Sequence, residues 1–208
     1  MIETKQKILD TAERLIGEQG YSGTSLRQII AEAEVNLAAI HYHFGSKEEL
    51  LDELVMRKAQ PVNEERLARL DRLEASAGKA PLTVTKVLEA FFIPMAEAAD
   101  RDPQFVRLMG RILIEGLMYQ MVQEHFQTVT RRFFGALRRA LPALSDDEFQ
   151  WRTHFMIGAM AHTMCGQADP TGKGGATGTF RERIGHLVPF LDGGFHAPAG
   201  APSHREAK

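Results

Sequence analysis

Residues 36–50 read Asn36-Leu37-Ala38-Ala39-Ile40-His41-Tyr42-His43-Phe44-Gly45-Ser46-Lys47-Glu48-Glu49-Leu50. Leu37, Ile40 and Phe44 recur at intervals of three and four, which predicts a short helix with these side chains inward. Gly45 is placed to end that helix, and Ser46 with Glu49 forms a capping box that starts the next one. The segment therefore predicts a short helix followed closely by another.

The preceding residues predict two more helices. The first covers residues 4–19 and ends at Gly20. The second begins at Ser25, whose hydroxyl is expected to cap the helix while the Gln28 side chain bonds back to the Ser25 backbone. It extends for about nine residues to a turn at Glu34. Two short helices joined by a tight turn, with a supporting helix before them, are typical of a helix-turn-helix DNA reader.

Helical spacing continues through the rest of the chain, and strand-like alternation is absent, so the predicted fold class is all-α. Pro61 is expected to kink or break the fourth helix, and Pro94 to kink the next. Further helices are predicted at residues 82–99, 103–115, 117–140, 146–165 and 179–191. The predicted domains are an N-terminal three-helix unit at 1–47 and a larger helical domain at 48–192. Residues 193–208, rich in Gly, Pro and Ala, are expected to form a disordered tail.

Composition excludes several classes of protein. The 208 residues contain 25 Lys and Arg, 27 Asp and Glu and 44% hydrophobic residues, as in ordinary globular proteins. One cysteine, Cys165, cannot form an intramolecular disulfide, and no apolar export or membrane segment is visible, so a cytoplasmic protein without membrane contact is expected. Residues 1–60 hold seven Lys and Arg against ten Asp and Glu, so nucleic-acid binding must rest on the geometry of the motif.

The outer face of the third helix is suited to a DNA groove. On a helical wheel Ala38, Ala39 and Tyr42 point outward, and Asn36, His41 and His43 flank them. Alanines let a helix approach bases and thymine methyls closely, while the polar side chains can bond to base edges or phosphates. A short solvated helix is the alternative interpretation.

Three segments resemble the TetR family of transcriptional regulators: residues 4–16, residues 20–29 and, above all, residues 36–50. The resemblance implies that the first three helices bind double-stranded operator DNA, and that the larger domain binds an effector and forms a homodimer. It also implies repression as the default activity. With the flanking residues of the third helix, the candidate DNA contacts are Ser25, Arg27, Asn36, Ala38, Ala39, His41, Tyr42, His43 and Lys47. Tyr42 and Lys47 would mainly hold phosphates.

The turn before the third helix departs from the family pattern. Family members commonly have Gly where this chain has Glu34, and glycine relieves a positive backbone angle there. Glu34 therefore implies a strained or altered turn that costs about 1 kcal/mol. Its negative charge would also disfavour phosphates.

Residues 90–165 hold seven of the nine methionines and eight of the twelve phenylalanines. Such an interior can enclose a flexible lipophilic small molecule, although a plain core is an equally good interpretation of the residues alone. The resemblance favours a pocket, and residues 35–47 and 104–112 look similar to the branch that answers to fatty acids or acyl thioesters. The predicted lining is Phe92, Met95, Met109, Leu113, Met118, Met121, Met156 and Met160.

The helices at 149–165 and 180–191 occupy the place of the family's dimer-forming pair. The residues suited to close packing across the two-fold axis are Phe155, Gly158, Ala159, Ala161, Ile184, Leu187 and Val188.

Three other residue patterns give only weak indications of a metal, phosphate or catalytic site. His154, His162 and Cys165 lack a fourth metal ligand, residues 172–175 lack P-loop spacing, and Glu182 with His186 lacks a nucleophile. No cofactor, metal or enzymatic activity is therefore expected. The competing hypothesis is a dimeric helical protein, binding ligand or acting on a lipophilic substrate, that does not bind DNA.

Overall fold

The structure is a computed structural model that describes residues 2–117, 121, 125–165 and 178–199. Every regular element in these ranges is helical, which confirms the predicted all-α class. The α-helices are α1 (Ile2–Gln19), α2 (Leu26–Ala33), α3 (Leu37–His43), α4 (Lys47–Ala77), α5 (Val84–Arg101), α6 (Pro103–Ile114), α7 (Gln127–Ala140), α8 (Asp146–Cys165) and α9 (Phe180–His196).

Helices α1, α2 and α3 pack around fully buried aliphatic side chains, among them Ile8, Ile29 and Ile40. Local hydrogen bonds fix the start of α4, where the Ser46 hydroxyl and the Glu49 carboxylate form the predicted capping box. Because α4 begins at Lys47, the predicted domain boundary after residue 47 falls at the start of a helix.

Three of the described helices continue through an internal proline, Pro61 in α4, Pro94 in α5 and Pro189 in α9. Helix α4 passes Pro61 and extends to Ala77, so the predicted break is not present, and α5 likewise includes Pro94. A proline removes one backbone hydrogen bond, but packing can hold the helix on both sides. Here Val62 and Leu70 of α4 are buried beyond Pro61, and α4 packs against α5.

Helix α6 connects the two parts of the molecule because it packs against both α1 and α8. The crossing with α8 is close at Gly110, where an added Cβ would lie 2.8 Å from the Cys165 Sγ atom. On the other side of the larger domain, α5 packs against α4 and α9. The N-terminal helices therefore contact the larger domain through α6 as well as through the chain connection at α4.

For the helix predicted at 117–140, the structure describes α7 from Gln127 to Ala140, while residues 118–120 and 122–124 lie outside the described part. Another predicted helix differs in its bounds, since α9 continues past Leu191 to His196. Residues 193–196 of the predicted tail are therefore helical, and Phe195 is buried because it packs into the core. Residues 200–208 lie outside the described part. Within it, no helix combines the length and apolar character needed to cross a bilayer.

Candidate nucleic-acid interface

Helix α3 is held in place from both ends. The Asn36 Oδ1 atom accepts a hydrogen bond of 2.8 Å from the Ala39 backbone N–H, so Asn36 is the N-cap. The inward side chains Ile40 and Phe44 are buried in the same core as the side chains of α1 and the first turns of α4. The Asn36 amide nitrogen keeps its donors for a ligand.

The outer face of α3 differs in part from the prediction. Tyr42 is 73% exposed, and Ala38 and His41 are also exposed, as expected. Leu37, predicted to face inward, is 53% exposed, whereas Ala39 is half-buried and packs against the core. The reason is that helical side chains lean toward the N-terminus, and Leu37 in the first turn has no preceding turn to cover. Leu37 is therefore an additional residue of this face.

The two histidines are ordered by neighbouring groups. The His41 Nδ1 atom lies 3.1 Å from the Gly45 carbonyl oxygen, so this ring turns back toward the helix end. The half-buried His43 ring lies edge-on to Tyr42, with 5.0 Å between ring centroids. An open groove of about 590 Å³ runs along the face between the start of α1 and α3, and its lining includes Ala38, Tyr42 and His43.

Lys47 is engaged inside the protein. Its Nζ atom donates a 2.6 Å hydrogen bond to the Tyr21 carbonyl and lies 3.8 Å from the centre of the Tyr21 ring. Burial lowers the pKa of Lys47. The Tyr21 hydroxyl donates to Glu48, and burial together with that carboxylate raises the pKa of Tyr21 to about 12. The Lys47 ammonium group keeps two donors for a phosphate.

Ser25 and Arg27 lie at the start of α2. The Ser25 hydroxyl accepts from the Gln28 N–H at 3.2 Å, but the predicted return bond is not formed; the Gln28 side-chain amide donates to Gln19 and Glu32. Arg27 is exposed and has no ion pair with any residue in the described ranges. Its guanidinium group is therefore available to an anion.

Glu34 adopts the left-handed conformation, with φ 51° and ψ 44°, and is the one non-glycine residue with positive φ among those described. The positive backbone angle expected at this turn is confirmed. Its carboxylate accepts from the Lys7 Nζ atom at 3.0 Å, which partly neutralises the charge next to α3. Sequence reasoning missed this pair because 27 residues separate the partners.

Glu115, at the end of α6, was also missed. Its carboxylate accepts hydrogen bonds of 2.9 Å from the backbone N–H groups of Tyr21 and Ser22, and one of 3.0 Å from the Ser22 hydroxyl. Gly20, at φ 83°, leaves room for this carboxylate, since a side chain there would collide with it. Glu115 therefore ties the larger domain to the turn that precedes α2.

The predicted effector-pocket residues belong mostly to the packed core. Phe92, Met95, Met109, Met121 and Met156 are at least 94% buried, and Leu113 and Met160 pack against the same core. Apart from Met121, the described members lie on α5, α6 and α8, and α6 packs against both of the other two helices. Met118 lies outside the described residues. Whether this cluster opens around an effector stays a prediction.

The predicted dimer helices expose only part of the expected set of residues. Ala161, Ile184, Leu187 and Val188 are buried within the chain, so their assignment to a partner surface is wrong. Phe155 is 61% exposed, as expected, and its ring stacks on that of Trp151, which is 60% exposed, with 5.9 Å between centroids. Helix α9 exposes Phe190 (71%), and glycines 158, 185 and 193 have open space where a Cβ would be.

The other residue patterns weighed in the sequence do not assemble into a site within the described residues. In the portion of the chain that is described, no three His, Cys, Asp or Glu side chains gather as a metal site, and His154 and His162 are exposed. The Glu182 carboxylate caps the start of α9 through the Thr179 N–H at 2.7 Å. Residues 172–175 lie outside the described ranges.

Curated regulators resemble the N-terminal part. It is 48% identical over 52 residues to the HTH-type transcriptional regulator AcrR of Shigella flexneri, and 46% identical over 54 residues to LmrA of Bacillus subtilis. It is 39% identical over 51 residues to IcaR of Staphylococcus aureus, a negative regulator of a biofilm operon. These matches cover 24–26% of this chain and 24–29% of each relative, so the similarity spans about a quarter of the curated relatives.

Solved structures match almost the whole chain in fold. A TetR-like transcriptional regulator from Rhodococcus sp. RHA1 aligns over 93% of both chains with a TM-score of 0.59 and 16% identity. The TetR family regulator PfmR of Thermus thermophilus aligns over 93% of this chain and 99% of its own, with a TM-score of 0.58 and 16% identity.

Two family models match the chain. Residues 8–54 match the model of bacterial regulatory proteins of the tetR family, and residues 89–194, about half of the chain, match that of the tetracyclin repressor-like C-terminal domain. The chain therefore belongs to the TetR family.

Proposed function

We propose that this protein is a transcriptional repressor that reads a near-palindromic operator as a homodimer and leaves it when a lipophilic effector binds. The observation that carries the proposal is the outer face of α3, where Leu37, Ala38 and Tyr42 are exposed on a helix whose other side is buried. An exposed tyrosine and leucine on a seven-residue helix are costly in solution but useful in a groove.

Each exposed group has a role that fits its chemistry. Leu37 and Ala38 contact thymine methyl groups, because an apolar side chain reads that group in the major groove. Tyr42 and Lys47 hold phosphates, and Arg27 at the start of α2 holds another. Asn36 and His41 orient the helix through their own backbone contacts and offer their remaining donors to base edges. Ser25 and His43 lie at the margins of the outer face of α3. The small side chain of Ala39 sets how closely α3 approaches the bases.

The homodimer forms through α8 and α9. Support comes from the exposed aromatic residues Trp151, Phe155 and Phe190, which lie on helices whose glycines let two helices approach closely. A solvated surface rarely carries so much aromatic area. Two-fold symmetry places two copies of α3 about 34 to 36 Å apart, or at a larger spacing set by the operator.

The effector acts through α6. Residues 1–47 form the DNA-binding domain and 48–192 the effector-binding and dimerisation domain in this proposal, and α6 contacts both the predicted pocket and α1. A ligand that binds against α5, which packs against α6, favours one position of α6. Because the Glu115 carboxylate at the end of α6 is hydrogen-bonded to Tyr21 and Ser22, a shift of α6 also moves the turn before α2. The separation of the two α3 helices in the dimer then changes, and they no longer fit successive grooves.

Repression follows from occupying the promoter, and the IcaR relative is described as a negative regulator of its operon. The test is footprinting with the purified protein on the DNA upstream of its own coding sequence. A protected, two-fold symmetric site is expected. The Y42A variant should bind all DNA more weakly, A38S should change sequence preference, and the control E18Q should behave as wild type.

Absence of a specific footprint would support the alternative, a helical ligand-binding protein or enzyme that does not bind DNA. A footprint that Y42A and A38S leave unchanged would refute the assignment of α3 to the groove. A footprint without two-fold symmetry would refute the dimeric arrangement.

A further inference from the structure

Arg66 of α4 is a charged side chain enclosed by the larger domain. It is 7% exposed, and its Nε atom donates a 2.8 Å hydrogen bond to the Phe91 carbonyl of α5. The Nη1 atom donates to the Asn63 Oδ1 atom at 2.9 Å, and the guanidinium group lies 3.8 Å from the centre of the Phe91 ring. Every acceptor that it uses is neutral.

The remaining nitrogen, Nη2, is buried and has no acceptor among the described residues. The neighbouring carboxylates are paired elsewhere, Glu65 with Arg69 and Arg72, and Glu97 with Arg69. Burial lowers the pKa of Arg66 to about 9, so the group is still protonated at neutral pH. A buried charge without an anion is strongly destabilising.

Arg152 shows how the same chain satisfies an arginine that has only a structural role. It is 8% exposed, and both its Nε and Nη2 atoms donate to Glu148 at 3.0 Å. Its Nη1 atom donates to the Phe195 carbonyl at 2.7 Å. Arg66 lacks the carboxylate that Arg152 has, which is the group a ligand can supply.

The surroundings of Arg66 are suited to an amphiphilic anion. Phe91 contacts Phe92 and Phe133 edge-on, with 5.2 Å and 5.1 Å between ring centroids, so an apolar body would lie among aromatic rings. Along the same two helices runs an open groove of about 280 Å³. Its lining includes the cationic Arg69, Arg72 and Lys86 and one carboxylate, Glu89, a balance that attracts anions.

We propose that Arg66 is the anchor of an effector site between α4 and α5, and that it takes an organic carboxylate carried on an apolar body. The proposal rests on the proposed function, since it names the chemical class of the effector. The carboxylate accepts from Nη2 and neutralises the guanidinium group, while the apolar body packs against Phe91 and Phe133. A neutral lipid leaves Nη2 unsatisfied, and a cation is repelled.

The test compares straight-chain carboxylates with alcohols of equal length, hexanoate with hexanol and decanoate with decanol, by isothermal titration calorimetry on the full chain. At least one carboxylate should bind at least ten times more tightly than its alcohol. R66M removes the charge and all the guanidinium donors while keeping an unbranched apolar stem, and it should abolish that preference. R66K, which loses the planar fork, should retain part of it. R101M, the same substitution at an exposed position of α5, should leave the preference intact.

Equal binding of each carboxylate and its alcohol to the wild type, or no binding of any carboxylate, would overturn the proposal, as would a preference that survives in R66M. If R66M does not fold, R66K and the ¹⁵N resonances of the Arg66 guanidinium in the wild type decide the matter, since decanoate must shift them. Operator binding without ligand is measured in parallel. A protein that binds its operator but shows no carboxylate preference refutes only this inference, whereas loss of specific operator binding in the wild type refutes the proposed function.

Discussion

The contact between Glu115 and the turn before α2 gives the most detailed prediction. Glu115→Gln keeps the shape of the side chain but removes its charge and one acceptor oxygen. The carboxylate now accepts three hydrogen bonds, from the Tyr21 N–H, the Ser22 N–H and the Ser22 hydroxyl. A hydrogen bond to a charged group contributes about 1.5–3 kcal/mol. Because the site is half-buried, we expect a loss of about 1.5–3 kcal/mol for the whole contact rather than for each bond.

The assay is amide hydrogen exchange followed by NMR. Each 1.4 kcal/mol corresponds to a factor of ten, so the Tyr21 and Ser22 amides should exchange about 10 to 100 times faster in E115Q than in the wild type. Amides of the α1 core, such as that of Ile16, should change little. E18Q is the matched control, because the Glu18 carboxylate pairs with Arg14 of the same helix and forms no hydrogen bond with Tyr21 or Ser22.

The same variant tests the route from effector to DNA. If Glu115 transmits the position of α6, E115Q should still bind the operator but should be released less completely by the effector. Unchanged exchange at Tyr21 and Ser22 would refute the contact itself. Faster exchange with a fully retained effector response would refute its role in coupling.

Three other changes give independent tests of stability and assembly. E34G should raise the free energy of unfolding, measured in urea, by about 1 kcal/mol, because glycine adopts φ 51° without strain. The ion pair with Lys7 that is lost contributes little because it is exposed. A lower stability of E34G would contradict the backbone strain at Glu34. D102N should lower stability at neutral pH by about 1 kcal/mol, because Asp102 pairs with Lys58. Burial raises the pKa of Asp102, but the hydrogen bond and charge of Lys58 outweigh burial and lower it overall. The higher stability of the wild type relative to D102N is therefore fully present above pH 3.8 and is lost as the pH falls through the lower pKa of Asp102 in the folded protein. A difference in stability that does not change with pH would contradict this. F155E should convert the dimer to a monomer in sedimentation equilibrium while the far-UV circular dichroism stays that of the wild type, and a persistent dimer would exclude this part of α8 from the interface.

Local patterns in the sequence were sufficient for elements fixed by short-range bonds. The start predicted for α8 agrees with the structure because the Ser145 hydroxyl accepts a hydrogen bond of 3.3 Å from the Glu148 N–H. The capping box at Ser46 and the positive φ of Glu34 likewise depend on residues within four positions. Such features follow from hydrogen bonds that the chain forms with itself over one helical turn.

The missed features depend on distant partners. No periodicity relates Glu115 to Tyr21, 94 residues away, or Arg66 to the Phe91 carbonyl in another helix. The continuation of α4 through Pro61 depends on packing against α5, which outweighs the one lost backbone bond. Leu37 was misplaced because a helical wheel treats the first turn like any other.

The most direct test of the account is the salt dependence of operator affinity, measured by fluorescence anisotropy with the operator and with a shuffled duplex. Arg27 and Lys47 in two protomers neutralise about four phosphates, which predicts a slope of about −3.6 in log K against log salt, or roughly a 100-fold loss between 50 and 200 mM. The operator should remain at least about 1,000-fold preferred over the shuffled duplex at each salt concentration. Equal affinity for both duplexes, or an affinity that does not change with salt, would contradict the claim that a pair of α3 helices reads DNA.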